Sequence, residues 1–162
     1  MRFEHLIEIN APQGAMPSLV STFTREQLWH GLMVRVQSPQ RFPLGPERCE
    51  WQQAAPDLVQ RTLYFGQHVL RDEVRLIPLD QLVFTPEAHG DTAPIRLTVR
   101  IEEPHAGRMV LRFVYEALAE QTAEEAYFNS YRHNAWVMAD RDMVRTLRDW
   151  LDQGELGGIT TN

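Results

Sequence analysis

The sequence predicts an α+β fold in which a curved antiparallel sheet of about seven strands is covered by one long C-terminal helix. The first ten residues alternate between apolar and polar side chains, and short alternating runs separated by turn residues fill positions 47–115. The stretch 122–150 contains no Gly or Pro and repeats apolar residues three and four apart, which is typical of a helix. A sheet with one apolar face needs a cover, and this helix is the only large apolar element available.

The N-terminal part of the chain predicts one strand followed by one helix. Arg2–Asn10 alternates strictly, which indicates a strand. Thr24 can cap a helix, with Gln27 in the position that completes a capping box, and the helix should end before Pro39.

The middle of the chain predicts a proline-rich loop and then six more strands. Three prolines and a glycine make 39–46 a loop or a short helical turn, with Phe42 and Leu44 tucked under it. The six strands are expected at 49–53, 58–65, 68–77, 82–85, 95–102 and 108–118.

Two hairpin turns set the expected strand registers. With Gly66 and Gln67 as the turn residues, Arg61 faces Asp72 on the apolar side of the first hairpin. In the second hairpin a turn centred on 104–107 pairs Ile101 with Met109. The same register makes three further apolar pairs: Val99–Leu111, Leu97–Phe113 and Ile95–Tyr115. The opposite side of the sheet carries alternating Arg and Glu and should be solvated.

The long helix should begin at the N-cap Thr122, with Glu125 three residues later. We expect its apolar face to lie on the sheet. That face consists of Phe128, Tyr131, Ala135, Met138, Met143, Leu147 and Trp150.

Length and charge exclude several classes of function. The 162 residues predict a single domain over 1–153, followed by a flexible tail over 154–162. All 16 basic residues are Arg and are interleaved with acids at a net charge of −6, which argues against nucleic-acid binding. The N-terminus lacks the apolar region of a signal peptide, and no apolar run is long enough to span a membrane, so we expect a cytoplasmic protein.

No metal or cofactor motif is present in the sequence. The one cysteine, Cys49, excludes an intramolecular disulfide, and the six histidines lack metal-binding spacing. We expect no metal and no cofactor.

Five segments together resemble one protein family. They are RFEHLIEIN at 2–10, STFTREQLWHGL at 21–32, LYFGQHVLRDEV at 63–74, IEEPHAGRMVLRFVYE at 101–116 and EEAYFNSYRHNAW at 124–136. This set is similar to the AtaL-like family, which is largely uncharacterised and belongs to the SRPBCC superfamily of START lipid-transfer domains and polyketide cyclases. The resemblance implies a helix-grip fold with a deep apolar cavity, and a superfamily tendency to bind a hydrophobic small molecule. It supplies no catalytic residues, because function does not follow from fold alone.

A cavity between sheet and helix is therefore the candidate site. Arg61 and Asp72 would be its ionic anchors, unless they lie at the sheet rim and touch water. The remaining candidate ligand-binding residues are Leu63, Phe65, Leu97, Val99, Leu111, Phe113, Tyr115, Tyr131, Asn134 and Met138.

Three functional hypotheses follow. The first is binding of a hydrophobic or aromatic small molecule in this cavity. The second is a cyclase-, dehydratase- or hydrolase-type enzyme that uses Asp72 and a tyrosine as acid and base. The third is a protein-interaction module with a filled core that docks through the loops 39–46 and 86–94. A homodimer is compatible with all three.

Overall fold

The computed structural model describes residues 1–12 and 21–157. In these residues seven strands and two α-helices follow one another along the chain. They are β1 (Arg2–Asn10), α1 (Arg25–Gln37), β2 (Arg48–Ala55), β3 (Leu58–Phe65), β4 (His68–Ile77), β5 (Gln81–Pro86), β6 (Ile95–His105), β7 (Arg108–Ala117) and α2 (Ala123–Asp152). All pairings are antiparallel, and the strand order is β1-β7-β6-β5-β4-β3-β2. This is the α+β helix-grip architecture that was expected.

Helix α1 begins where its capping residues indicate. Thr24 Oγ1 accepts a hydrogen bond from the backbone N–H of Gln27, and the Gln27 side chain accepts one from the backbone N–H of Thr24. This reciprocal pair confirms the predicted capping box. A single 3-10 turn, Pro39–Arg41, follows the helix and starts the loop that leads to β2.

The register of the first hairpin is confirmed. Strands β3 and β4 pair Arg61 with Asp72, Leu63 with Leu70 and Val59 with Val74.

The register predicted for the second hairpin is wrong by two residues. Ile101 pairs with Leu111, Val99 with Phe113 and Leu97 with Tyr115. An irregularity between Glu102 and His105 inserts extra chain ahead of a two-residue turn at Ala106–Gly107, and Gly107 there has φ +81°. A shift of two keeps every side chain on its predicted face, so the apolar surface is preserved although its partners change.

The outer face of the sheet is charged, as the alternation predicted. Arg112 is the centre of one cluster: its Nε donates to Glu102 Oε2 at 2.7 Å, and its Nη1 donates to Glu4 Oε1 at 2.9 Å. Arg96 pairs with Glu116 at 3.3 Å on the same face. These pairs are partly hydrated and contribute little to stability individually.

The core lies between the inner face of the sheet, α1 and the C-terminal half of α2. Its fully buried side chains include Phe113 and Leu111 from the sheet, Leu32 from α1 and Leu147 from α2. The two helices touch where α1 has Gly31: a Cβ built there would lie 2.6 Å from Leu147 Cδ2. Glycine at 31 therefore permits this close approach of the two helices.

The predicted apolar face of α2 is wrong in the N-terminal half of the helix. Met143 and Leu147 are buried as expected, but Phe128, Tyr131 and Met138 are exposed, Tyr131 by 62% and Met138 by 69%. The reason lies in the spacing of the pattern. Met138 and Met143 are five residues apart, which is about 140° around a helix of 3.6 residues per turn. The apolar stripe therefore changes sides at this point.

The side of α2 that faces the sheet in its N-terminal half is polar and aromatic. Asn129 and Asp140 are buried, and His133 and Trp136 are half-buried between them. His133 stacks on Phe3 of β1 with ring centroids 4.1 Å apart. This part of the helix thus lies against β1 and β7.

Two smaller expectations also change. Leu44 is exposed rather than tucked under its loop, whereas Phe42 is buried as predicted. The tail expected from residue 154 is wrong at its start, because Leu156 is buried in the core and the backbone N–H of Glu155 donates to the Trp150 carbonyl. Residues 158–162 lie outside the described part. No helix among the described residues is both long and apolar enough to cross a membrane.

Candidate functional site

A cavity of about 280 Å³ opens between the inner face of the sheet, the loop 39–46 and one flank of α2. Its walls are mostly apolar. The lining residues are Arg35, Pro39, Phe42, Leu44, Gly45, Pro46, Arg61, Leu63, Phe65, Asp72, Phe84, Leu97, Ala139, Asp142 and Met143. The helix-grip arrangement thus leaves a hollow between sheet and helix, against strands β3–β6.

Arg61 and Asp72 form a buried, two-pronged ion pair in the wall of this cavity. Arg61 Nε donates to Asp72 Oδ1 at 2.8 Å and Nη2 donates to Asp72 Oδ2 at 2.6 Å. Only 5% of the Arg61 side chain and 10% of the Asp72 side chain are exposed. Both side chains are therefore almost entirely buried.

The same guanidinium also holds the end of α1. Arg61 Nη1 donates to the carbonyl oxygens of Arg35 at 3.1 Å and Val36 at 3.0 Å, in the last turn of that helix. These carbonyls have no partner within the helix, and a cation at a helix C-terminus is favourable. All three nitrogens of Arg61 are thus engaged by the protein, so the pair fastens α1 to the sheet as well as lining the cavity.

The remaining predicted site residues fall into three groups. Leu63, Phe65 and Leu97 line the cavity. Val99, Leu111, Phe113 and Tyr115 are buried in the core and do not reach it, because α1 and α2 pack directly on their strands. Tyr131, Asn134 and Met138 are exposed, because the helix presents a different side to the sheet.

A polar cluster that the sequence reasoning missed lies beneath the middle of α2. Asp140 Oδ2 accepts hydrogen bonds from Tyr115 Oη at 2.6 Å and from His5 Nε2 at 2.8 Å. Asp140 is almost fully buried, and the His5 contact requires the imidazole proton to be on Nε2. Burial and the neighbouring Asp140 carboxylate raise the pKa of Tyr115 well above its ordinary value, so this phenol stays protonated.

Aromatic stacking encloses this cluster. Tyr115 stacks on Trp136 with ring centroids 4.3 Å apart, and His5 stacks on Phe113 at 5.0 Å. In the alternation of Arg2–Asn10, His5 shares one side of the strand with Phe3, Ile7 and Ile9. The apolar stripe of α2 identified the wrong side of the helix as the side that meets the sheet. For this reason Asp140 was not recognised as a buried residue.

A second hollow of about 540 Å³ crosses β2–β5 and differs from the first in the polarity of its lining. The side chains around it are largely polar, among them Glu50, Gln52, Gln60, Arg71, Glu73 and Glu87. Several of these contact one another, as Gln60 Nε2 does with Glu73 Oε1 at 3.3 Å. Its larger volume does not make it the better candidate, because small-molecule sites are mainly apolar with few polar groups.

Metal chemistry has no evident place in either hollow. Within residues 1–12 and 21–157 no group of three or more His, Cys, Asp or Glu side chains is arranged to hold a metal ion. Cys49 is partly buried, and desolvation raises the pKa of its thiol, which disfavours the thiolate that a nucleophile requires.

Solved structures with the same fold include two aromatase/cyclases. The di-domain aromatase/cyclase StfQ from the steffimycin pathway superposes with a TM-score of 0.65 at 12% identity, over 94% of this chain and 50% of StfQ. This chain therefore spans about half the length of StfQ. The Zhui aromatase/cyclase from Streptomyces sp. R1128 superposes with a TM-score of 0.61 at 14% identity, over 93% of this chain and 95% of Zhui.

A solution structure from Thermobifida fusca gives a TM-score of 0.64 at 12% identity, over 96% of this chain and 95% of that one. At these identities the superpositions establish the fold alone. A comparison with curated protein sequences finds no significant match.

A family model also matches most of the chain. It covers residues 7–154, nearly the whole described chain, and the family is described as "Acetylaranotin biosynthesis cluster protein L". It agrees with the resemblance drawn from the five sequence segments. The chain therefore belongs to the AtaL family.

Proposed function

We propose that this protein binds a hydrophobic or aromatic small molecule in the cavity between its sheet and α2. The observation that carries the proposal is the 280 Å³ cavity itself, whose apolar walls include Phe42, Phe84 and Met143. Ligand sites are typically concave, mostly apolar and about 300–1,000 Å³ in volume. At about 280 Å³ this cavity lies just below that range, which suits a ligand with one or two fused rings or a short alkyl chain.

The enclosing elements support a pre-formed site. Arg61 and Asp72 fix the wall formed by β3 and β4 to the end of α1 through four hydrogen bonds. A wall held in this way need not reorganise when a ligand enters, and such pre-organisation favours affinity.

Binding is better supported than catalysis by the groups that were candidates for acid–base chemistry. Both oxygens of Asp72 accept hydrogen bonds from Arg61, so both are already engaged within the protein. Tyr115 donates to Asp140 away from the cavity, and Tyr131 is exposed. The names of two similar structures, both aromatase/cyclases, support an aromatic ligand as the class to test first.

The third hypothesis, a protein-interaction module, required a filled core. The cavity between sheet and α2 does not agree with that requirement. We propose instead that the chain through Leu156 acts as one ligand-binding domain in the cytoplasm. The supporting observation is that the sheet, α1 and α2 share a single core. Whether two copies form a homodimer is tested by light scattering of the purified protein.

Filling the cavity tests the proposal directly. Ala139 lines the cavity from α2, so Ala139→Phe should occupy part of it. Titration of fatty acids and bicyclic or tricyclic aromatic compounds into wild-type protein should give measurable binding to at least one class. Ala139→Phe should weaken that binding at least tenfold.

The matched control is Ala126→Phe. Ala126 is an exposed residue of the same helix, 13 positions before Ala139, on a side that does not line the cavity. It should leave the affinity unchanged. Absence of binding to any compound of the panel, or equal affinity of the Ala139→Phe variant and wild type, would contradict the proposal.

A further inference from the structure

The flank of α2 that lines the cavity continues beyond the cavity itself. Three residues of this helix, Ala139, Asp142 and Met143, belong to the cavity wall. At about 100° per residue, their side chains span a sector of about 100° around the helix axis. Residues nearer the N-terminus of α2 that point into this sector therefore extend the same wall along the helix.

Two large aromatic side chains and one alanine extend the wall in this way. Counted at the same angle, Phe128 and Ala135 fall inside the sector, and Tyr131 lies about 20° beyond its edge. With a rise of 1.5 Å per residue, these three residues lie about 6 to 16 Å from Ala139 along the helix axis. We call this surface, made of Phe128, Tyr131 and Ala135, the α2 extension.

The α2 extension is exposed to solvent although its side chains are largely apolar. Phe128 is 53% exposed and Tyr131 is 62% exposed, and Ala135 is also exposed. A single exposed apolar side chain needs no explanation, but a run of them beside a ligand-sized cavity forms a continuous surface. This surface is therefore available to a molecule that projects out of the cavity.

The aromatic rings of the α2 extension are ordered by a third ring. The hydroxyl oxygens of Tyr131 and Tyr127 form a hydrogen bond of 2.9 Å, and the two rings meet edge to face with centroids 5.4 Å apart. Tyr127 also meets Phe128 edge to face, with centroids 5.7 Å apart. Side chains that are ordered beforehand lose less conformational freedom when a ligand binds, which favours affinity.

The cavity is open to solvent, and a further exposed apolar side chain adjoins it on the sheet. Leu44 lines the cavity and is 66% exposed, so water reaches that wall. Leu63 also lines the cavity and pairs with Leu70 of β4, which shares the inner face of the sheet and is 49% exposed. Exposed apolar surface therefore adjoins the cavity on the sheet as well as on α2.

We propose that the ligand is an elongated, largely apolar molecule, of which one end occupies the cavity and the remainder lies along the α2 extension. The inference rests on the small-molecule binding proposed above and adds the length and shape of the ligand. The cavity of about 280 Å³ is smaller than a typical ligand site. A ligand that also contacts the α2 extension would bury more apolar surface than the cavity alone can cover.

A series of phenylalkanoates of increasing chain length tests the inference by calorimetric titration. The probes are 4-phenylbutanoate, 8-phenyloctanoate and 12-phenyldodecanoate, which share a ring and a carboxylate and differ only in the number of methylene groups. Burial of one methylene strengthens binding about fourfold, and half-burial about twofold. The affinity of wild-type protein should therefore rise about tenfold or more from the shortest probe to the longest.

The double variant Phe128→Ser/Tyr131→Ser removes both rings at exposed positions, so the core is not altered. It should bind 4-phenylbutanoate within about twofold of wild type but 12-phenyldodecanoate at least about fivefold more weakly. Leu6→Ser is the control, because Leu6 is an apolar residue on the outer face of the sheet and is 47% exposed. This variant should bind all three probes as wild type does.

A measurement on the wild-type protein gives the same information without a substitution. In nuclear magnetic resonance spectra, the ring protons of Phe128 should show Overhauser contacts with the bound 12-phenyldodecanoate and none with 4-phenylbutanoate. Absence of contacts with the longest probe would place its chain elsewhere and overturn the inference.

The outcomes of the titrations separate this inference from the proposed function. Affinity that does not rise with chain length, or equal binding of the longest probe by the double variant and wild type, would overturn the elongated ligand and leave the cavity as a site for short molecules. An equal loss in Leu6→Ser would also overturn it, because the chain would then bind exposed apolar surface without specificity. Failure of the whole series and of the wider panel to bind would overturn both proposals.

Discussion

Replacement of Arg61 by methionine tests whether the buried ion pair fastens α1 to the sheet. The substitution removes both hydrogen bonds to Asp72 and both donors to the carbonyls of Arg35 and Val36. Removing one partner of a buried pair leaves the other charge uncompensated and costs about 3–5 kcal/mol. A domain with a typical unfolding free energy of roughly 5–15 kcal/mol would remain folded but be clearly less stable.

The double variant Arg61→Met/Asp72→Leu separates the cost of the uncompensated Asp72 charge from the cost of the hydrogen bonds lost at the end of α1. It removes both charges together, so only the two α1 carbonyls lose a donor, and we expect a cost of about 1–3 kcal/mol. The double variant should therefore be more stable than Arg61→Met alone. This ordering arises only if the desolvated Asp72 carboxylate is the main source of the loss.

Urea denaturation followed by circular dichroism measures these differences, and a matched pair provides the control. Arg75 and Asp57 form an ion pair of 2.8 Å with side chains 54% and 51% exposed. Arg75→Met should cost less than about 1 kcal/mol. The reasoning is refuted if Arg61→Met costs no more than this control, or if the double variant is less stable than Arg61→Met.

Three further predictions concern other parts of the molecule. Met143→Ala should cost about 2–5 kcal/mol in urea denaturation, whereas Met138→Ala should stay within about 0.5 kcal/mol; similar costs would contradict the change of side along α2. Burial lowers the pKa of His133, so the unfolded chain binds more protons below pH of about 6.5. The free energy of unfolding should therefore fall as the pH decreases from 7 through the lowered pKa of His133. His133→Phe should reduce the slope of the unfolding free energy against pH. If denaturation at pH 5 to 7 gives the same slope for this variant as for wild type, other groups cause the pH dependence. Gly45→Ala would place a Cβ 1.9 Å from the backbone oxygen of Pro39; the loop must then shift, at about 1–3 kcal/mol, and ligand titration should show weaker binding.

Alternation along the strands was enough to predict the sheet and the pairing of Arg61 with Asp72. Side chains on a strand change face at every residue, and a two-residue turn at Gly66–Gln67 leaves one register for the hairpin. The second hairpin was predicted two residues out of register because its turn lies at Ala106–Gly107, later than the assumed centre, and because a bulge near Glu102 adds one residue to β6; neither has a comparable sequence signal.

The side of α2 that meets the sheet could have been predicted better than it was. The five-residue step from Met138 to Met143 is visible in the sequence and divides the apolar stripe into two. What the sequence does not show is that a carboxylate, Asp140, takes the buried position in place of an apolar side chain. It can do so because Tyr115 and His5, distant in the chain, supply its hydrogen bonds.

The sequence by itself determined the class of fold, the order of its elements, the apolar inner face of the sheet and the ionic pair within it. These follow from local periodicity and short turns, which act between residues close in the chain. Only the tertiary structure decided where the cavity lies and which flank of α2 faces it. Those features depend on how side chains of α1, α2 and the sheet, which are far apart in the sequence, pack against one another. No local sequence pattern determines that packing.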